Sequence, residues 1–271
     1  MMTHYFMTSD TNRAIMSVEN SAVVKISHLT VNGLGLGNSN YRFNGIGYLH
    51  SGGSVDTCDI LNVRNTPFSG AQHGVAIYAY AGDGNNRSLA IRNTTVTGFQ
   101  KNGMALLGAN MSGTVEYCTV TGAGPTTITA QNGIQFGSGA SGTMSYNNVS
   151  GVSYTGASWA ASGLLVTGSA AVNADHNTVT ECHASAYWSA GGGTFSDNVI
   201  THTQAGTGHH ELYGFLAVHG TAGAAAAIPY RLQPAGVDML ATRDNRYQGA
   251  AAPQAFTINL QNNLMDAAGA D

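Results

Sequence analysis

Short runs of alternating apolar and small or polar residues recur along this chain, each opened by a glycine. They run Asn44 to Tyr48, His73 to Ile77, Asn102 to Leu106, Asn132 to Phe136 and Ser162 to Val166. The opening glycines stand at 45, 74, 103, 133 and 163, so the steps are 29, 29, 30 and 30 residues. A period of two is the signature of a strand with one buried face. A fixed step near thirty residues marks stacked repeats rather than a globular array of unlike elements. Two inward columns are expected. The first is Ile46, Val75, Met104, Ile134 and Leu164; the second is Tyr48, Ile77, Leu106, Phe136 and Val166.

A second strand follows about ten residues later, over Gly113 to Val120, Gly142 to Val149, Val172 to Val179 and Gly193 to Ile200. Asn147, Asn177 and Asn198 fall in one column of it, with Cys118 in the same place. Asparagine accepts a left-handed bend and bonds neighbouring backbone, and stacked on itself it forms an amide ladder, so these asparagines are read as structural. The step shortens once: Ala186 to Trp188 stands 22 residues after Leu164 to Val166, and Tyr213 to Val218 restores the interval. Ser21 to Val31 reads as the second strand of an earlier coil, and Val237 to Gly249 as the last second strand. About eight coils result, a rod on the order of 40 Å long at the usual strand spacing.

The sequence of second strand, Asn, Val, Gly, loop and Asn-Gly-Ile resembles the right-handed parallel β-helix repeat of pectate-lyase-like proteins, over about residues 20–220. The resemblance implies an all-β solenoid and an exported protein, extracellular or at the cell surface. It implies little about activity, because that scaffold carries lyases, hydrolases, epimerases, tailspikes and non-catalytic surface proteins.

Composition agrees with one elongated domain over residues 1–271, with an irregular capping segment and last coil over about 221–271. Only 9% of residues are charged, 36 are glycine, and the net charge is −4. A hydrophobic content of 43% argues against disorder. No basic stripe points to nucleic acid, and no apolar run is long enough to span a membrane. Met1 to Asp10 lacks the form of a signal peptide, so a mature or truncated chain is expected. Cys58, Cys118 and Cys182 have no metal-binding spacing, and Cys118, aligned with the ladder asparagines, reads as a small buried filler.

Candidate chemistry lies in the variable stretch before each anchor strand. The residue two after the strand-ending Val is Gly98, Gly122 and Gly151, and then Glu181 and His202. With His183, His209, His210 and Glu211 on the same side, these form a candidate acid/base set, since a carboxylate beside an imidazole raises its pKa toward working pH. The same residue types can bind a divalent metal, at His209, His210 and Glu211, although no known ligand spacing is present and no cofactor is implied. Tyr154, Trp159 and Tyr213 offer flat faces for sugar rings; Tyr187 lies near them, and Trp188 falls in an inward column. Arg92 and Lys101 can bind an acidic sugar or remove a proton beside a carboxylate. Lys101 shares its column with Phe43, Gln72, Gln131 and Ala161. Asp175 and His176 read as a solvated face, and Asp83 to Asn86 as a turn. The carboxylate set of a calcium-dependent lyase is missing.

Two functions stay open. One is a carbohydrate-active β-helix that cleaves or modifies a polysaccharide by acid/base chemistry on the loop flank. The other is a non-catalytic surface or scaffold β-helix that binds glycan or a partner protein. Association into a homo-oligomer is compatible with either.

Overall fold

The computed structural model describes residues 4–6, 9–40, 42–156, 160–189 and 191–201, together with the strands Tyr213–His219, Leu240–Asp244, Ile258–Gln261 and Leu264–Asp266; side chains are described between Arg13 and Thr201. Within these residues the chain winds through three sheets, one of ten strands and two of eight. Each strand pairs in parallel with its counterpart one coil away, apart from an antiparallel hairpin of His4–Phe6 on Ser9–Glu19. The architecture is a right-handed parallel β-helix of eight coils. Sheet 1 holds the anchor strands, such as Asn102–Leu107 and Asn132–Gly137. Sheet 2 holds strands such as Met111–Glu116, and sheet 3 short strands such as Thr119–Thr121.

Each coil therefore has three strands, where the sequence pattern suggests two. The expected second strand is broken by a bend: Tyr117, Tyr146, His176 and Asp197 all have positive φ, between 54° and 57°. The left-handed residue is thus the one before the asparagine, not the asparagine itself. Asn147, Asn177 and Asn198 instead turn inward and form the ladder. Asn147 and Asn177 each bond the next amide at 2.9 Å, and each of the three donates to a backbone carbonyl of the coil before. Cys118 continues the column, its backbone N–H donating to Asn147 Oδ1.

The interior is a set of stacked apolar columns. In sheet 1 the register is Ile46, Ile77, Met104, Ile134, Leu164 and Ala186, and beside it Tyr48, Ala79, Leu106, Phe136, Val166 and Trp188. All of these are fully buried, and each large side chain removed from water contributes roughly 1.5–3 kcal/mol. One coil departs from the expected columns. Val75 pairs with Asn44 and Asn102, and Ile77 takes the place expected for Val75. The glycine of that coil is displaced: the residue beside Gly45 and Gly103 is Ala76, and Gly74 belongs to the loop, with φ of +84° and its α-carbon facing Gln100. The constant glycine interval hides steps of 31 and then 27 residues between paired positions.

Small residues leave room for large ones across the interior. A methyl group on Gly113 would meet Leu106 and Phe136 within 2.4–2.7 Å, and Trp188 packs edge-on against Phe195 with centroids 5.9 Å apart. At the C-terminal end, Leu240–Asp244 joins sheet 1 beside Tyr213–His219, and the last strand of sheet 2 is Ile258–Gln261. The second strand expected at Val237 to Gly249 is thus a sheet 1 strand. The alanine-rich segment at 222–228 lies outside the described residues. Cys58, Cys118 and Cys182 are free and buried, and burial pushes the Cys118 and Cys182 thiols up to about 12.

Candidate functional site

The corner between sheets 3 and 1 is built from a column of turn residues: Gly33, Asn62, Gly122, Gly151 and Glu181 each donate a backbone N–H to the coil above. Glu181 has φ of 51° where Gly151 has 64°. Asn62 holds the same conformation in the same column, so a side chain here costs only the roughly 1–2 kcal/mol of a left-handed residue. The Glu181 side chain is half-buried, and its N–H donates to Thr201 O at 3.1 Å. The chain at Thr201 thus lies directly above Glu181, as the aligned columns require. His202, His209, His210, Glu211 and Trp159 lie outside the described residues. Tyr213 is described only as a strand position, paired with Ala184.

The remaining candidates are dispersed. His183 is buried, at 3% exposure, and its N–H donates to Val152 O at 3.0 Å. Backbone bonds place it in a column with Phe43, Gly74, Lys101, Gln131 and Ala161, at the base of the loops. Gln131 shows what this column does: its amide donates to Phe99 O and accepts from the Ala123 N–H, tying loop to coil. Lys101 acts alike, donating from Nζ to Ala130 O. Tyr154 is only 9% exposed and packs in the apolar core, held by a parallel bridge to Thr126. Arg92 stands on sheet 2, where its Nε donates to Glu116 Oε2 at 2.9 Å. Arg92 and Lys101 therefore do not share a site.

Burial holds the Lys101 ammonium down to about 8 from the ordinary 10.5. Below pH 8 the folded chain keeps a charge in a poorly solvated place. Between 8 and 10.5 the unfolded chain holds more protons, so stability rises with pH across that window. Lys101→Met should raise stability at pH 7 by about 1 kcal/mol, once relieved desolvation is set against the lost hydrogen bond. The advantage should shrink toward pH 10.5. Urea midpoints of both proteins at pH 7 and 10.5 check this, and equal midpoints at pH 7 would reject it.

Two surface features were not singled out by sequence reasoning. The first is a row on the outer face of sheet 1. Register aligns Gly47, Tyr78, Ala105, Gln135, Leu165 and Tyr187 in one column, and Leu49, Tyr80, Leu107, Gly137, Thr167 and Ser189 in the next. Tyr78, Tyr80, Gln135, Leu165 and Tyr187 are half-buried. Burial raises the Tyr78 and Tyr187 hydroxyls above the usual phenol value, so both remain neutral donors. The second is a stack at the corner of sheets 2 and 3. Tyr117 lies over Tyr146 with centroids 5.1 Å apart, and Tyr146 over His176 at 4.7 Å. His176 Nδ1 meets Asp175 Oδ2 at 3.0 Å. Tyr117 and Tyr146 are 56% and 45% exposed; Tyr146 is stacked on both faces and Tyr117 on one. The signal for this stack is the aromatic residue before Cys118 and before Asn147, which the alternation pattern did not explain.

Among the described residues no group of three or more His, Cys, Asp or Glu is placed to hold an ion. The turn at Asp83 is closed by its own neighbours, with Asn85 and Arg87 both donating to the Asp83 carboxylate. Among the described residues no helix is long and apolar enough to cross a membrane. Comparison with protein-family models, with curated proteins and with solved structures finds no match to this chain.

Proposed function

We propose that this chain is a polysaccharide-binding β-helix of the pectate-lyase-like kind, exported to the cell surface or beyond, whose ligand lies along the outer face of sheet 1. The row of Tyr78, Tyr80, Gln135, Leu165 and Tyr187 carries the reading. It combines aromatic and aliphatic surface with neutral hydrogen-bonding groups, the mixture that suits the apolar faces and hydroxyls of sugar rings. The spacing also suits a polymer: equivalent positions repeat at about 4.8 Å along the coil axis, comparable to the length of one sugar unit. Tyr78→Ala and Tyr187→Ala are each expected to weaken binding to a retained polysaccharide about tenfold or more, with the fold intact by circular dichroism. Affinity electrophoresis against a panel of polysaccharides measures this. Unchanged migration of both variants in every gel that retards the parent would reject the reading.

A second reading is catalytic, and the position of Glu181 beneath Thr201 favours it. Glu181 would serve as acid or base with His202, and His183, His209, His210 and Glu211 are the further candidates of the same set. Release of reducing or unsaturated ends from a bound polysaccharide, lost in Glu181→Gln and His202→Ala, is its expected result. Parent and variants equal in turnover would leave binding as the sole activity.

A further inference from the structure

We infer that the ligand of the sheet 1 face is an uncharged polysaccharide, not a polyuronate; this rests on the binding reading above and narrows it. The twelve outward positions over six successive coils, Gly47 and Leu49 through Tyr187 and Ser189, carry no ionisable carboxylate, ammonium or guanidinium. The adjoining column is also uncharged: Asn44, Val75, Asn102, Asn132, Ser162 and Ala184. Among the described residues, Arg243 takes the same outward column two coils beyond Ser189, and the other cations nearest the row are used or set aside. Lys101 Nζ is spent on Ala130 O at the loop base. Arg13 donates to Ser39 O. Arg42 lies near Tyr78, at the lower end, where Glu19 occupies the first coil of the outer column. From Ala105 to Tyr187, three coil steps or about 14 Å, no lysine or arginine stands among the described outward positions of sheet 1.

A polyuronate carries one carboxylate per sugar. Laying several of them on aromatic and aliphatic surface removes water from each charge without supplying a partner, and that cost opposes binding. A neutral chain meets the same row with hydroxyls, which Thr167, the tyrosine phenols and the Gln135 Nε2 (its Oε1 accepts from Asn102) can bond, and with C–H faces that lie on the rings.

The test uses the full chain against a neutral β-glucan, a neutral galactan, and polygalacturonate or alginate, by titration calorimetry and affinity electrophoresis. A neutral polymer should bind with a dissociation constant that changes less than twofold between 20 and 500 mM NaCl, since no counterion is displaced. Polyuronate at equal mass should not compete. Gln135→Lys should then gain salt-sensitive affinity for polyuronate while losing affinity for the neutral chain. Polyuronate binding by the parent, within threefold of the neutral polymers or tighter, would overturn the inference while leaving the sheet 1 site standing, provided Tyr187→Ala abolishes it. Failure of every polymer to bind would overturn both.

Discussion

Alanine at Gly142 is expected to prevent the fifth coil from closing. Gly142 has φ of +149°, a conformation that L side chains rarely adopt, and a β-carbon there would lie 1.9 Å from the Gly113 carbonyl oxygen. That oxygen belongs to the paired strand one coil below, so neither atom can retreat without breaking the ladder. The same geometry recurs at Gly53 against Val24 O, 1.8 Å, and at Gly193 against Val172 O, 1.7 Å. Where glycine is absent from this column, as at Leu89 and Val172, the backbone enters sheet 2 without positive φ. The cost is one of overlap with fixed backbone rather than of propensity, and a loss above about 4 kcal/mol is expected. Gly151→Ala is the control. It too has positive φ, but its nearest neighbours stand at 3.6 Å, so about 1 kcal/mol is expected. Urea unfolding monitored by circular dichroism measures both. Similar midpoints for the two variants would show that the close approach does not govern stability.

The contrast between these glycines also explains what could be read from the chain and what could not. Alternation and interval were enough to define stacked coils, because a buried column admits only apolar side chains and each coil must bring its strands back into register with the one below. The interval was misleading at Gly74. That glycine resembles the anchors but serves the loop, where Gln100 donates to Ser69 and accepts from the Asn65 N–H. Sliding that coil by two residues preserves the inward and outward parity, so nothing in the pattern betrays the shift. It does move Tyr78 from the column of Leu49 to that of Gly47, Gln135 and Tyr187. The outer row therefore becomes visible only once register is known. The third strand was hidden for a different reason. The parity of buried positions breaks between Val115 and Cys118, a sign that the strand bends, but one broken step in eight residues is a weak local signal.

Loop candidates were legible as residue types and not as places. Glu181 sits where the column alignment puts it, because the turn before it is regular. Tyr154 and Lys101 do not stand out as surface groups, because loop residues that span between coils bury whatever they carry. Lys101 illustrates the point: its column holds Gln131, Ala161 and His183, residues of unlike chemistry that share only the task of filling the loop base. In the variable flank, Gln131 and Lys101 brace loop to coil.

Removing the Asn177 amide is the second substitution with a large expected effect, and it tests the opposite corner. Asn177 Oδ1 accepts from both the backbone N–H and the Nδ2 of Asn147, at 3.1 and 2.9 Å. Its own Nδ2 donates to Met144 O and to Asn198 Oδ1, both at 2.9 Å. Asn177 is 1% exposed and its ladder neighbours Asn147 and Asn198 are 1% and 0%, so water cannot replace a lost partner. Asn177→Ala leaves the Asn147 N–H unpaired, at about 1–3 kcal/mol, takes one donor from each of Met144 O and Asn198 Oδ1, and opens a small cavity besides. A loss of about 3–5 kcal/mol is expected. Asn177→Asp keeps the acceptor, but it sets a carboxylate against Met144 O and Asn198 Oδ1, two acceptors in a buried place, and should cost at least as much. Hydrogen exchange gives the local reading, since the amide of Asn147 should lose protection far more than that of Val96, three coils away. A shift below about 1 kcal/mol, with the Asn147 amide still protected, would mean that the stacked carboxamides decorate the bend without holding it.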